Sequence, residues 1–202
     1  MHLARNTDYG VRKESNDMRL LIVDDDPDII GSLKDLLTTE GISVDVITAS
    51  SEAEARRIAE TESIDIAMLD IRLGQKNGLD LVPLLKQRNK HIACLMMTAH
   101  RDVQYAVSAI RFGADDYLYK PLEPTHILST IKRYMKYQDY RRQRDRAESW
   151  FRTIFETSDH LMFVGDLNGN LQQINKKASE FCGVTVDDIS GKKIWDLQPW
   201  AG

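Results

Sequence analysis

Acidic side chains directly follow apolar runs at two places in this chain. Asp24, Asp25 and Asp26 come after "LLIV", and Asp70 comes after "IAML". Neighbouring carboxylates repel one another and resist burial, so carboxylates at the end of a core segment need a neutralising partner. A hard cation such as Mg²⁺ binds carboxylate oxygens, and a carboxylate can itself attack a phosphoryl group to form an acyl phosphate. The pattern therefore indicates magnesium-dependent phosphoryl chemistry.

Two further polar residues follow later apolar runs. Thr98 comes after "CLMM", and Lys120 ends the run "DYLYK". A hydroxyl and an ammonium can each cover one oxygen of a phosphoryl group during its transfer. If both residues share a pocket with Asp70, that pocket holds the groups that phosphoryl transfer to a carboxylate needs.

The elements that position these residues follow from hydrophobic periodicity. Apolar runs at residues 19–23, 43–48, 64–70, 91–97 and 116–120 are typical of strands, and helical spacing fills the intervals between them. This alternation predicts an α/β fold with a doubly wound five-stranded parallel sheet, in the flavodoxin-like order 2-1-3-4-5. The carboxyl ends of such strands lie at one edge, which brings the polar residues together.

The three adjacent aspartates divide into two groups. Pro27 suits the first position of a helix, so Asp26 is predicted to cap that helix. Asp24 and Asp25 then remain to hold a metal ion opposite Asp70.

The composition argues against several classes of protein. The 202 residues are 42% hydrophobic and carry a formal net charge of −4, which gives no general attraction to nucleic acid. No apolar segment approaches the roughly 20 residues of a membrane span. Cys94 and Cys182 show no metal or disulfide spacing, which favours reduced thiols and a cytoplasmic protein. Residues 1–17 lack the apolar core of a signal peptide, and we expect a flexible extension.

Four segments resemble the signature segments of the response-regulator receiver domain of two-component signalling. They are "LLIVDDDP", "IAMLDIRLGQKNGLDL", "CLMMTAH" and "GADDYLYKP", and they stand in the family's order and spacing over residues 18–137. The resemblance implies a Mg²⁺-dependent phosphoacceptor whose partner is a sensor histidine kinase. It also implies a stoichiometric switch with slow self-dephosphorylation rather than an enzyme with a substrate.

The resemblance implies roles for single positions. Asp70 corresponds to the phospho-accepting aspartate, and Asp24 and Asp25 correspond to the acidic pair that holds Mg²⁺. The backbone carbonyl of Arg72 corresponds to the group that completes the metal site. The phosphate-binding and switch positions correspond to Thr98, Ala99, Tyr117 and Lys120, and the Lys120–Pro121 bond resembles the family's cis-proline junction.

The resemblance also implies a switching mechanism. Phosphorylation would draw the Thr98 hydroxyl towards the phosphoryl group, and Tyr117 would rotate into the space released. The face formed by the fourth helix, the fifth strand and the fifth helix would then change shape. A homodimer could form through this face or through the segment that follows the fifth helix.

The remaining chain is predicted to form a connector and a second, partial domain. Residues 138–150 are rich in arginine but interleaved with acidic residues, which indicates a solvated helical connector rather than a nucleic-acid contact. Residues 151–202 resemble the first half of a PAS sensor domain, through the "DLNG" hairpin, Asn175 after its second strand and the helix "ASEFCG". This length is roughly half of what the family needs, so we expect a partial α+β segment without a normal ligand pocket.

Two other functions compete with the receiver. A Mg²⁺-dependent aspartyl-phosphate phosphatase would place two aspartates two residues apart after the first strand, as Asp24 and Asp26 are. That function leaves Asp70 and Thr98 poorly explained, and turnover of phosphate esters would distinguish it from a receiver. A DNA-binding regulator would need a recognition motif, and the sequence shows none.

Overall fold

The computed structural model describes residues 18–99, 107, 109–185, 187–189 and 191–197. By its internal contacts the chain divides into two compact units, of which the first ends at Gln138 and the second begins at Asp139. The extension expected over residues 1–17 lies outside the described residues. The predicted borders at 137 and 150 stay predictions.

The first unit is built on a five-stranded parallel sheet. Its strands are β1 (Met18–Val23), β2 (Val44–Ala49), β3 (Ile66–Asp70), β6 (Ala93–Thr98) and β7 (Asp116–Tyr119), and a two-stranded hairpin of β4 (Arg72–Leu73) and β5 (Lys76–Asn77) follows β3. The sheet order is β2-β1-β3-β6-β7, and every pairing within the sheet is parallel. This order confirms the predicted doubly wound, flavodoxin-like fold.

Helices cover both faces of this sheet. They are α1 (Pro27–Thr39), α2 (Glu52–Thr61), α3 (Leu81–Arg88) and α4 (Pro124–Thr157), of which α4 is the fifth helix expected from the sequence. The helix expected before β7 lies largely outside the described residues, although residues 109–111 are helical. Gly113 follows them with a φ of +88°, a left-handed conformation that ends a helix at little cost for glycine.

The core explains why the strands are continuously apolar. Leu20 and Ile22 of β1 belong to the cluster on one face of the sheet, and Leu21 and Val23 belong to the cluster on the other. All four side chains have no exposed surface. Parallel strands that are covered on both faces need apolar residues at every position.

Gln138 fixes α4 to the edge of the sheet opposite the polar strand ends. Its amide nitrogen donates to the backbone oxygens of Asp65 at 3.0 Å and His91 at 2.7 Å, which precede β3 and β6. The helix does not end there, because no glycine or proline interrupts residues 125–157. It continues through Trp150, so the connector and the entry helix predicted separately are one continuous element of 34 residues.

The second unit contains a short antiparallel hairpin and a small core. Strands β8 (Phe163–Gly165) and β9 (Leu171–Ile174) precede helix α5 (Lys176–Cys182), and Gly183 ends α5 in a left-handed conformation with a φ of +66°. These are the predicted hairpin and helix. Among its described residues, the buried core consists of Leu171, Ile174, Ala178, Cys182, Ile189 and Leu197.

Asn175 is the polar centre of the second unit. Its side chain is fully buried, and its Nδ2 donates to the backbone oxygens of Phe155 and His160, each at 2.9 Å. Its Oδ1 accepts from the backbone nitrogens of Met162 at 3.1 Å and Ala178 at 3.0 Å. A buried amide with all these partners ties α4, α5 and the hairpin together without an unsatisfied polar atom.

In the part of the chain that the structure describes, every helix is too short or too polar to cross a lipid bilayer.

Candidate functional site

The carboxyl ends of four strands bring the predicted site residues to one edge of the sheet. Asp24 follows β1, Asp70 ends β3, Thr98 ends β6 and Lys120 follows β7. Asp24, Asp70 and Thr98 are buried, with exposed fractions of 0%, 8% and 5%. The parallel register of the sheet therefore places these four residues at one edge of the sheet.

Lys120 joins two of the carboxylates. Its Nζ donates to Asp24 Oδ2 at 2.7 Å and to Asp70 Oδ2 at 2.9 Å. Burial raises the pKa of Asp24, and hydrogen bonds from Lys120 and from the backbone of Asp26 offset that rise only in part. Burial is the largest single influence and lowers the pKa of Lys120, but the hydrogen bonds to Asp24 and Asp70 and the charges of both carboxylates together outweigh it, so the pKa is raised. Lys120 therefore stays protonated as the internal counter-charge of this pocket.

Asp24, Asp25 and Asp70 form a cluster that could hold a metal ion. One oxygen of each carboxylate lies within 4.8 Å of the corresponding oxygens of the other two. One ammonium offsets one of these three charges, so the pocket keeps a negative charge that a divalent cation can neutralise. Carboxylate oxygens are the hard ligands that Mg²⁺ prefers, so the residues present fit that ion.

Backbone groups hold two of these acids in place. Asp24 Oδ1 accepts from the backbone nitrogen of Asp26 at 3.0 Å, and Asp25 Oδ2 accepts from the backbone nitrogen of Gly74 at 2.9 Å. Gly74 lies in the turn between β4 and β5 with a φ of +59°, which a residue with a side chain rarely adopts. Arg72 lies in β4, two residues beyond Asp70, with its side chain exposed.

Asp26 has a different structural role from Asp24 and Asp25. Its side chain accepts a hydrogen bond from the backbone nitrogen of Asp28 at 2.9 Å, and Pro27 is the first residue of α1. The predicted helix cap is therefore confirmed. The three adjacent aspartates have two different structural tasks.

Gly78 is a residue of this site that the sequence alone did not indicate. A Cβ atom at this position would lie 1.9 Å from the backbone oxygen of Asp70, which is an impossible contact. The backbone nitrogen of Gly78 donates to the backbone oxygen of Ile71 at 2.8 Å. The hairpin thus returns the chain directly against Asp70, and only glycine fits there. The "NG" pair was visible in the sequence, but not the contact with Asp70.

The remaining predicted positions lie in β7 or directly after Thr98. Ala99 follows it and is exposed, and Tyr117 on β7 has 36% of its surface exposed. The ring of Tyr119, which sequence reasoning did not single out, packs edge-on against the ring of Tyr117. The Lys120–Pro121 peptide bond is cis, as the resemblance implied.

This sheet order, with an acidic pocket and a lysine at the carboxyl edge, defines a receiver-like α/β domain. Residues 20–132 match the family model of the response regulator receiver domain, and residues 149–202 match that of the PAS domain. The chain therefore belongs to the response regulator receiver family, and it carries a PAS segment after its receiver.

Curated relatives and solved structures agree with this family. The chain is 38% identical over 120 residues to the alginate biosynthesis transcriptional regulatory protein AlgB of Pseudomonas putida, covering 59% of this chain and 26% of the relative. It is 35% identical over 118 residues to the alkaline phosphatase synthesis transcriptional regulatory protein PhoP of Bacillus subtilis, covering 58% of this chain and 48% of the relative. The chain thus spans between about a quarter and a half of these relatives.

Among solved structures, a CheY-like response regulator receiver domain protein from Methanospirillum hungatei is similar, with a TM-score of 0.57 and 30% identity over 62% of this chain and 98% of that one. A response regulator from Burkholderia pseudomallei, solved with a phosphorylated aspartic acid, a calcium ion and citrate, has a TM-score of 0.53 and 28% identity over 62% of this chain and 73% of that one.

Proposed function

We propose that the first unit is a phosphoacceptor in which Asp70 takes a phosphoryl group from a sensor histidine kinase. The observation that supports this proposal most directly is the pair of hydrogen bonds from Lys120 to Asp24 and Asp70 within the three-carboxylate cluster. A nucleophilic carboxylate, a fixed ammonium and room for a divalent cation are what phosphoryl transfer to an aspartate requires. The phosphorylated aspartic acid of the Burkholderia pseudomallei relative supports the same chemistry.

The transfer itself can be written for these residues. A carboxylate oxygen of Asp70 attacks phosphorus, the bond from phosphorus to the donor's imidazole nitrogen breaks, and that nitrogen leaves with the electron pair. Lys120 covers one phosphoryl oxygen, and the Thr98 hydroxyl donates to another. When bound by Asp24, Asp25, Asp70 and the backbone carbonyl of Arg72, Mg²⁺ supplies charge neutralisation and orientation.

The switch would follow from the movement of Thr98. Tyr117 would rotate into the space released and change the face around β7, with Ala99 keeping the site accessible. The helix that completes this face lies largely outside the described residues. Because α4 runs on into the second unit, a change at this face could reach the PAS segment.

Asp26 favours a receiver over the aspartyl-phosphate phosphatase. A phosphatase of that kind would use Asp26 as a second acid, but its side chain already caps α1. We infer a stoichiometric phosphoacceptor with slow self-dephosphorylation, which could act as a homodimer through the face around β7 or through α4. The two free, buried cysteines fit a reducing cytoplasmic compartment.

Phosphorylation of an Asp70→Asn variant tests the proposed function. The wild-type protein, mixed with acetyl phosphate and Mg²⁺, should gain one phosphoryl group by intact-mass spectrometry. Asp70→Asn should gain none, because an amide is not a nucleophile of this kind. Asp35→Asn, which removes an exposed carboxylate from α1, is the matched control and should behave as wild type. Uptake by Asp70→Asn at the wild-type level would show that the assignment is wrong.

A further inference from the structure

Two tyrosines lie on the same face of β7. Successive residues of a strand point to opposite faces, so Tyr117 and Tyr119 share one face and Leu118 occupies the other. Leu118 is buried in the cluster that includes Ile127 and Ile131 of α4. The rings of Tyr117 and Tyr119 meet with centroids 5.2 Å apart and planes at 73°, which is the edge-to-face arrangement that aromatic pairs prefer.

Tyr119 also stands directly beside Thr98. In the parallel pairing of β6 with β7, the Cα of Thr98 is registered with that of Tyr119, and the Cα of Met96 with that of Tyr117. The backbone nitrogen of Lys120 donates to the backbone oxygen of Thr98 at 2.8 Å, which fixes this register at the site. Tyr119 is therefore the lateral neighbour of Thr98 and the ring partner of Tyr117. The proposed switch couples the movements of Thr98 and Tyr117.

Tyr117 makes its ring contact with Tyr119 at the edge of the sheet. β7 is an edge strand, and Tyr117 keeps 36% of its surface exposed while its ring contacts Tyr119. If the ring of Tyr117 rotates into the space that Thr98 releases, its present edge-to-face geometry with Tyr119 changes. An edge-to-face contact of this kind changes an equilibrium constant by about twofold to tenfold.

We propose that Tyr119 is a positioning residue that keeps Tyr117 in its exposed orientation and so biases the receiver towards its unphosphorylated state. The inference rests on the proposed function of Asp70 and adds a residue that sets the balance of the switch. Tyr119 acts through the ring of Tyr117.

The affinity for a phosphoryl analogue separates this role from simple packing. BeF₃⁻ binds an aspartate carboxylate as a tetrahedral phosphoryl group does, and its affinity includes the free energy of the switch. Tyr119→Leu removes the ring contact, so with Mg²⁺ it should bind BeF₃⁻ about twofold to tenfold more tightly than wild type. Tyr119→Phe keeps the ring and is the matched control, and its affinity should lie closer to that of wild type than the affinity of Tyr119→Leu does. A residue that only packed would lower stability in Tyr119→Leu without tightening this binding.

NMR of ring-labelled tyrosine gives a readout that needs no variant. In the wild-type protein, ring-to-ring cross-peaks between Tyr117 and Tyr119 should be present without ligand and weaken when BeF₃⁻ and Mg²⁺ are added. Cross-peaks that persist at saturation overturn the proposal, even if Tyr119→Leu does not fold. If wild type binds BeF₃⁻ and Tyr119→Leu binds it with equal or lower affinity, the role of Tyr119 is overturned and the proposed function is not. A wild-type protein that does not bind BeF₃⁻ overturns the proposed function as well.

Discussion

The first and second units both bury polar side chains, but the buried groups differ in charge. In the first unit they include Asp24 and Asp70, which both face the half-buried ammonium of Lys120, and a third carboxylate, Asp25, lies nearby. In the second unit the central buried group is Asn175, a neutral amide with four backbone partners. An amide whose hydrogen-bonding groups are all paired stabilises a fold, whereas a cluster that keeps net charge favours the binding of a counter-ion.

The largest effect is expected from Asp25, the exposed member of the acidic cluster. Asp25→Ala removes a proposed metal ligand and should abolish the Mg²⁺ dependence of phosphorylation by acetyl phosphate, measured by intact mass across a Mg²⁺ titration. Asp26→Ser is the control next in sequence and should change uptake little, because serine also caps helices. Retained Mg²⁺ dependence in Asp25→Ala would contradict the assignment of the cluster.

A large loss of stability is expected at Gly78. Gly78→Ala forces a Cβ against the backbone of Asp70, so the first unit should lose about 3 kcal/mol of unfolding free energy and most of its phosphorylation. Gly31→Ala in α1 is the control, because nothing lies within 4 Å of its added Cβ. It should be neutral or stabilise by about 0.5–1 kcal/mol. Urea unfolding, with alkylation of Cys94 as the readout, measures the stability of the first unit. Equal stability of the two variants would refute the close contact between Gly78 and Asp70.

For the second unit, the comparison predicts a loss of stability without a loss of phosphorylation. Asn175→Leu leaves backbone groups of Phe155, His160, Met162 and Ala178 without partners, at a cost of about 2–3 kcal/mol. Phosphorylation of the first unit should not change. All three tryptophans lie in the second unit, so their fluorescence follows its unfolding. Gln173→Leu, at an exposed position of β9, is the control, expected within about 0.5 kcal/mol of wild type.

The smallest effect is expected in the alkylation rates of the two cysteines, of which each unit contains one. Burial raises the pKa of Cys94 to about 12, so at pH 8 only about one thiol in ten thousand is the reactive thiolate. Cys182 is 8% exposed where Cys94 has no exposed surface, and burial raises its pKa as well. Iodoacetamide should therefore modify Cys94 more slowly, and both rates should rise with pH. Faster modification of Cys94, mapped by mass spectrometry, would mean that the first unit opens more readily than the second.

The sequence predicted much of this structure because the relevant signals are local. Apolar runs located the strands, and a polar residue at the end of each run placed Asp70 and Lys120 at one edge of a parallel sheet. The cap at Asp26 followed from its neighbour Pro27, and the hairpin of the second unit followed from its Asn-Gly turn.

The features that were not predicted depend on distant contacts or on side-chain orientation. The approach of Gly78 to Asp70 arises from how the β4–β5 hairpin folds back, which no local pattern records. Alternation put Tyr119 on the face of Tyr117, but the ring contact depends on rotamers. The length of α4 was missed because the family resemblance suggested a new start at Phe151, although no residue there ends a helix.

The ion pair at Lys120 also has a consequence for ligand-linked stability. Because an ammonium already separates Asp24 from Asp70, the pocket can fold before any cation binds, and Mg²⁺ would act as a ligand of the native state. By mass action such a ligand would add about 2.7 kcal/mol of stability at a concentration one hundred times its dissociation constant. That increment would belong to the first unit alone, so the surrounding Mg²⁺ concentration would set how resistant this unit, but not the second, is to unfolding and proteolysis.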